Sequence, residues 1–290
     1  MVSGMSRHQP MDRRLLLSML SIGAAQALIG CANNHPAASP SPAPSTVGST
    51  PTALGNTPVQ LAAPRPAPPA LPPVPPPHPG PPTVVSRASS RTRQIALTID
   101  DGYDAQTVAG YVEFAQRSKI AITFSPNGAY SAIWNRHADV LRPLVETGQV
   151  QIGNHTWTHK DLLDHRTDAE IHADVERNEQ WIQSTFGITS RPWFRPPYGS
   201  HNHHVDALVG ELGYTKILLW NGSFGDSTLL TPEQLLALAT RYLQPGTVML
   251  GHANHNTILG LFAQVEQLIA QRQLEPVTLD TMFGTSRAVG

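Results

Sequence analysis

From about Arg91 onward the chain alternates strand-like and helix-like stretches seven times. Short apolar or β-branched runs fall at 94–99, 120–124, 150–153, 193–195, 215–220, 247–251 and 276–279. Between them lie stretches of helical character at 105–117, 134–146, 168–186, 203–212, 232–242 and 257–272. Repeated strand–helix units imply parallel strands, because each crossover helix returns the chain to the same edge. Seven units in one domain predict an α/β fold closed as a barrel, one unit short of the common eight. An open doubly wound sheet is the alternative, but no glycine-rich phosphate loop follows the first strand. Helix ends are also marked. Thr231-Pro232-Glu233-Gln234 has the form of a capped helix start, and Gly148, Gly187 and Gly213 stand where helices should stop.

In a barrel of this kind the chemistry gathers at the carboxyl ends of the strands. The first strand ends in Asp100-Asp101-Gly102 and the third runs into Asn154-His155-Thr156-Trp157-Thr158-His159. The fourth leads into Arg195-Pro196-Pro197-Tyr198-Gly199, the fifth through Trp220 to Asp226, and the sixth into Leu250-Gly251-His252. Five strand ends therefore carry charged or metal-capable groups on one rim. Taken alone, Asp100-Asp101-Gly102 also suits an ordinary strand-end turn. His155 and His159 are spaced i, i+4, so a helical turn would put them on one face. Two imidazoles and one carboxylate leave a fourth position open, which is the donor set of a hydrolytic zinc site. The pair alone is weak in a chain with 13 histidines. The cluster His201, His203 and His204 is read as surface.

Charge excludes one class of partner. Charged residues make up 14% of the chain and the net charge is −1, which gives no footprint for nucleic acid. The amino-terminal part reads as export machinery. Arg13-Arg14 precede an apolar run from Leu15 to Ile29, shorter than the ~20 residues a spanning helix needs. Leu28-Ile29-Gly30-Cys31 resembles the lipobox of bacterial lipoproteins, and Cys31 is the only cysteine. The paired arginines also resemble a twin-arginine signal. Residues 1–31 are thus expected to be a lipoprotein signal whose Cys31 carries a lipid anchor. The expected location is a bacterial membrane, facing the cell wall or periplasm. Residues 32–90 are rich in Pro, Ala and Ser and are expected to form an extended tether. Residues 91–290 are expected to form one monomeric catalytic domain.

The motifs TIDDG, HTWTH, RPPYG and LGH, in this order and spacing, resemble those of the polysaccharide deacetylases, carbohydrate esterase family four, with the NodB homology domain. The resemblance covers essentially all of 91–290 and implies an irregular (β/α)7 barrel of NodB type. It implies Asp100 as catalytic base, and Asp101, His155 and His159 as ligands of a divalent metal, usually zinc, with cobalt accepted. It further implies Arg195 as the residue orienting the base, and Tyr198 as the source of an oxyanion-binding N–H. Leu250 would line the pocket for the acetyl methyl, and His252 would be the general acid. The family often has an Asp-Trp pair where this chain has Asp226-Ser227. Asp226 can stand for the aspartate that supports His252, and Trp220 is a candidate to fill part of the space left by the missing tryptophan.

The implied reaction is removal of N-acetyl groups from an acetylated cell-envelope polysaccharide, such as peptidoglycan or a related N-acetylglucosamine polymer. Two alternatives share the sequence: an esterase acting on O-acetyl groups, as on xylan, and a glycan-binding protein without activity.

Overall fold

The computed structural model describes residues 76–285. The expected signal, Cys31 and most of the expected tether lie outside these residues. Among the described residues no helix is long and apolar enough to cross a membrane.

The elements run in chain order as follows. A three-residue strand β1 (Thr83–Val85) is followed by β2 (Gln94–Asp101), α1 (Ala105–Ser118) and β3 (Ile122–Pro126). Then come α2 (Ser131–Trp134), α3 (Ala138–Glu146), β4 (Val150–Ile152), α4 (Asp168–Phe186), β5 (Trp193–Phe194) and α5 (His203–Glu211). The chain continues through β6 (Lys216–Leu218), β7 (Gly222–Ser223), α6 (Pro232–Tyr242) and β8 (Val248–His252). It closes with α7 (Phe262–Gln271), β9 (Glu275–Pro276) and α8 (Leu279–Phe283).

All ladders between these strands are parallel. One sheet has the order β4-β3-β2-β8-β7, with β9 joined to the start of β2, and a second has the order β1-β6-β5. A parallel bridge from Asn154 to Phe194 connects the two walls. This is the seven-unit barrel the alternation predicts, in the irregular (β/α)7, NodB-type form that the resemblance implies. The central strand β2 carries the site, and its residues from Ile95 to Asp101 are all buried. It pairs with β3 on one side and β8 on the other, with Asp100 opposite Ser125 and His252. Register alone therefore sets Asp100 beside His252.

Several boundaries differ from expectation, and the helix expected over 257–272 is α-helical only from Phe262, after a 3-10 stretch at Asn256–Leu261. The tether was expected to reach residue 90, but β1 pairs with β6 well before that, so the folded part begins earlier. Its backbone supplies the cohesion: Thr83 N–H donates to the Thr215 carbonyl (2.9 Å) and Leu219 N–H to the Val85 carbonyl (2.7 Å). The last strand is only Glu275–Pro276, and Leu279 opens α8 instead of closing the strand. The helix expected over 134–146 is broken into α2, a 3-10 turn at Asn135–His137, and α3. The start signals hold. Thr231 and Gln234 form a reciprocal capping box on α6, as Thr167 and Glu170 do on α4.

Candidate active site

Asp101 is the last residue of β2 and has φ +69°, a left-handed conformation that few non-glycine residues adopt. An extended chain would aim Asp100 and Asp101 to opposite faces. The turn at Asp101 brings both carboxylates to one groove. Of seven described non-glycine residues with positive φ, four lie here: Asp101, Thr156, His159 and Tyr198. Thr156 is β-branched, so its left-handed backbone is costly and must be imposed by its surroundings. The Asn154 side chain accepts from Thr156 N–H (2.9 Å), and Asn127 donates to the carbonyls of His155 and Thr156. The two histidines thus converge through a strained loop, and not through the helical turn their spacing suggested. Asp174, on α4, holds the outer part of this loop by accepting from the N–H groups of Trp157 (3.1 Å) and Thr158 (2.9 Å).

Asp101, His155 and His159 form the one group of potential ligands among the described residues. Both Nε2 atoms lie 3.3 Å from Asp101 Oδ1. His155 Nδ1 is bonded to the Arg195 carbonyl (2.7 Å), which leaves Nε2 as its ligand atom. Asp101 Oδ1 is buried with no hydrogen-bond partner in the protein. An orphaned buried carboxylate oxygen facing two imidazole nitrogens suits a divalent cation. Burial works against the charged Asp101 carboxyl. The close approach of His155 and the electrostatic pull of His155, His159 and His252 outweigh it and hold the group well below its usual range. His159 is pushed down by burial and by His155, which favours its neutral, ligating form.

Asp100 sits next to this group, its Oδ2 3.8 Å from His155 Nε2 and 3.7 Å from Arg195 Nη1. The second distance is an ion-pair separation, too long for a hydrogen bond. Arg195 is 1% exposed. Its Nη2 donates to Thr98 Oγ1 (2.8 Å), which in turn donates to the Met249 carbonyl (2.8 Å). The Trp220 ring covers the guanidinium at 5.4 Å. Burial lowers the Arg195 pKa while Asp100 and Asp101 raise it, and an arginine this basic stays charged.

Across the groove, His252 Nδ1 meets Asp226 Oδ1 at 3.0 Å, and its backbone N–H donates to Asp226 Oδ2 at 3.1 Å. Burial would lower the His252 pKa. The Asp226 bond and charge, with Asp100 and Asp101 behind them, raise it overall. This is the state a general acid needs. Asp226 is itself 1% exposed, so the pair is fixed.

The groove has a volume of about 440 Å³. Asp100, Asp101, His155, His159, Tyr198, Trp220, Leu250 and His252 line it together, while Arg195 and Asp226 lie beneath it. Tyr198 is exposed, and its ring edge packs on His159 at 4.6 Å. Its loop is pinned by the Gly199 and Ser200 N–H groups bonding the Pro196 and Pro197 carbonyls. Ser227 lines the groove where a tryptophan is common in the family the motifs resemble. His201 and His204 pair instead with Asp206 and Asp168, away from the groove.

Residues 87–217 match a family model described as polysaccharide deacetylase. Over these residues the chain is similar to the polysaccharide deacetylase family. Chitin deacetylase 2 of Saccharomyces cerevisiae is 27% identical over 186 residues, covering 62% of this chain and 56% of that protein. The peptidoglycan-N-acetylglucosamine deacetylase PgdA of Listeria monocytogenes is 26% identical over 202 residues, covering 68% of this chain and 40% of that protein. The chain thus spans about half the length of these curated relatives. Among solved structures, a family-four pseudoenzyme from Bacillus anthracis superposes with a TM-score of 0.62 at 18% identity, over 71% of each chain. That likeness concerns the deacetylase fold alone. LGH and its histidine lie beyond the matched residues, so the acid side of the groove rests on its own geometry.

Sequence reasoning missed four supporting side chains: Thr98 under Arg195, Asn127 and Asp174 on the histidine loop, and Asn254 on Asp101. Single polar residues inside apolar strands or short loops leave no periodic signal.

Proposed function

We propose that the chain is a metal-dependent hydrolase that removes N-acetyl groups from a cell-envelope polysaccharide of N-acetylglucosamine type and releases acetate. The observation that carries this reading is the complete set in one groove: carboxylate base, Asp-His-His donor group, and a histidine acid backed by a buried aspartate. A pseudoenzyme is among the neighbours, and the presence of base, ligand set and acid favours turnover here. The curated relatives carry the names chitin deacetylase and peptidoglycan-N-acetylglucosamine deacetylase, which favours N-acetyl over O-acetyl substrates.

Asp101, His155 and His159 would hold a divalent ion, zinc first and cobalt second, which would supply Lewis acidity for attack on the acetyl carbonyl. Asp100 takes the proton of the attacking water. The buried Arg195 charge faces Asp100 and the Thr98 bond keeps Arg195 in place. The Tyr198 N–H donates to the developing oxyanion, a contact worth about 3–4 kcal/mol in comparable sites. Leu250 offers the acetyl methyl an apolar wall. His252, held protonated by Asp226, gives its proton to the nitrogen as the C–N bond breaks. The products are acetate and a free amine on the sugar.

The lipid anchor expected at Cys31 would place this chemistry beside the cell wall, which makes peptidoglycan the first substrate to test. Acetate release from peptidoglycan, chito-oligosaccharides and acetylxylan should be measured side by side with the zinc-loaded protein. Release from the first two supports the proposal. Release from acetylxylan alone would transfer the site to ester hydrolysis, and binding without acetate would make it a glycan-binding protein.

A further inference from the structure

Asn254 is 7% exposed and lies two residues beyond His252, in the loop that leaves β8. Its side chain makes three bonds across to the loop that leaves β2. Nδ2 donates to Asp101 Oδ2 at 2.7 Å, and Oδ1 accepts from the N–H groups of Gly102 (3.3 Å) and Tyr103 (3.4 Å). The orientation of this amide is fixed by chemistry. Flipping it would face NH2 against two N–H donors and an oxygen against a carboxylate, with every contact repulsive.

We infer that Asn254 is the positioning residue of the metal centre: it occupies Asp101 Oδ2 and so presents Oδ1 alone to the ion. The inference rests on the metal-site reading above. Without a donor on Oδ2 the Asp101 carboxylate can rotate, and Oδ1 is no longer held 3.3 Å from both imidazole nitrogens. Because the same amide grips Gly102 and Tyr103, it also couples the loop bearing the base to the loop bearing the acid. A partner that orients a ligating carboxylate typically changes metal affinity by about 10–100-fold.

The test is zinc affinity, by chelator competition on the purified full chain, for the parent, Asn254→Ala, Asn254→Leu and His155→Ala. The expected result is a Kd for zinc raised about 10–100-fold in both Asn254 variants. Loss of these buried bonds should also lower the melting temperature of the metal-free protein, whereas a merely structural residue would lower that temperature and leave zinc affinity at the parental value. If the leucine variant does not fold, the alanine variant decides, since its smaller side chain imposes no new contact. Parental zinc affinity in Asn254→Ala would overturn the inference, provided His155→Ala has lost zinc. If the parent itself binds no divalent metal, it is the metal-site reading that fails.

Discussion

Asp100 and Asp101 are adjacent in sequence and face different partners. Asp101 faces two imidazoles and Asn254, whereas Asp100 faces Arg195 and lies level with His252. That division predicts separable defects. Asp100→Asn keeps the shape and should bind zinc like the parent, while turnover falls about 10²–10⁴-fold, the usual contribution of a general base. His155→Ala should lose both, read by zinc titration and acetate release. Substantial turnover in Asp100→Asn would remove it as the base. The acid side gives a pH signature. His252 acts only while protonated, and Asp226 raises its pKa above the ordinary 6.5, so activity should fall as pH climbs through the raised value. In Asp226→Asn that fall should begin at lower pH. The same pair contributes stability in full below 6.5 and loses it as pH rises through the raised value. The variant should therefore be most destabilised relative to the parent on the acid side. An unmoved alkaline limb would mean that His252 is not the acid.

Each element's end matters more to this site than its middle. Gly102 follows the base and ligand at φ +111°, and a Cβ there would lie 2.2 Å from Trp134 Nε1. That indole nitrogen donates to the Asp101 carbonyl at 2.9 Å and so helps fix the turn at the end of β2. Gly102→Ala combines an unfavourable backbone with overpacking and should cost about 1–3 kcal/mol or more, read as a lower urea midpoint. A parental midpoint would contradict the geometry. The sequence makes the seven main strands legible because Ile95, Leu97, Ile99, Ile122, Phe124 and their equivalents are buried in short runs. It also places Asp100, Asp101, His155, His159 and His252 at strand ends, which is enough to bring them to one rim. What it conceals is held by backbone or by single amides. β1 has Val84 exposed and sits in a proline-rich context, so neither alternation nor composition marks it. β7 is Gly222-Ser223, too short for any pattern. The convergence of His155 and His159 depends on positive φ at Thr156, which no propensity would assign to a β-branched residue.

At the scale of the molecule, the site and the entry of the chain lie at opposite ends of the strands. The groove is built at the carboxyl ends. β1 runs parallel to β6 with Thr83 opposite Lys216, so the chain before Thr83 arrives at the amino ends. There Gly80 N–H bonds the Gly210 carbonyl (3.2 Å), at the far end of α5. Two melting experiments probe the whole. Zinc held at about 100 times its Kd should stabilise the parent by about 2.7 kcal/mol, or roughly 5–10 °C for a domain of this size, and should not stabilise His155→Ala. A chain beginning at Pro76 should match the full chain in melting temperature and acetate release, because every described contact is kept. A chain beginning at Arg91 follows the boundary that composition suggests, and it removes β1 together with the packing of Pro82 on Gly210. The lost ladder amounts to a few net hydrogen bonds, on the order of 2 kcal/mol. That corresponds to about 4–8 °C in melting temperature for a domain of this size. The groove draws its ligands from β2, β4 and their loops, so zinc affinity should survive the deletion. Equal melting temperatures for the two truncations would show that β1 is an appendage, and that the fold begins where the composition changes.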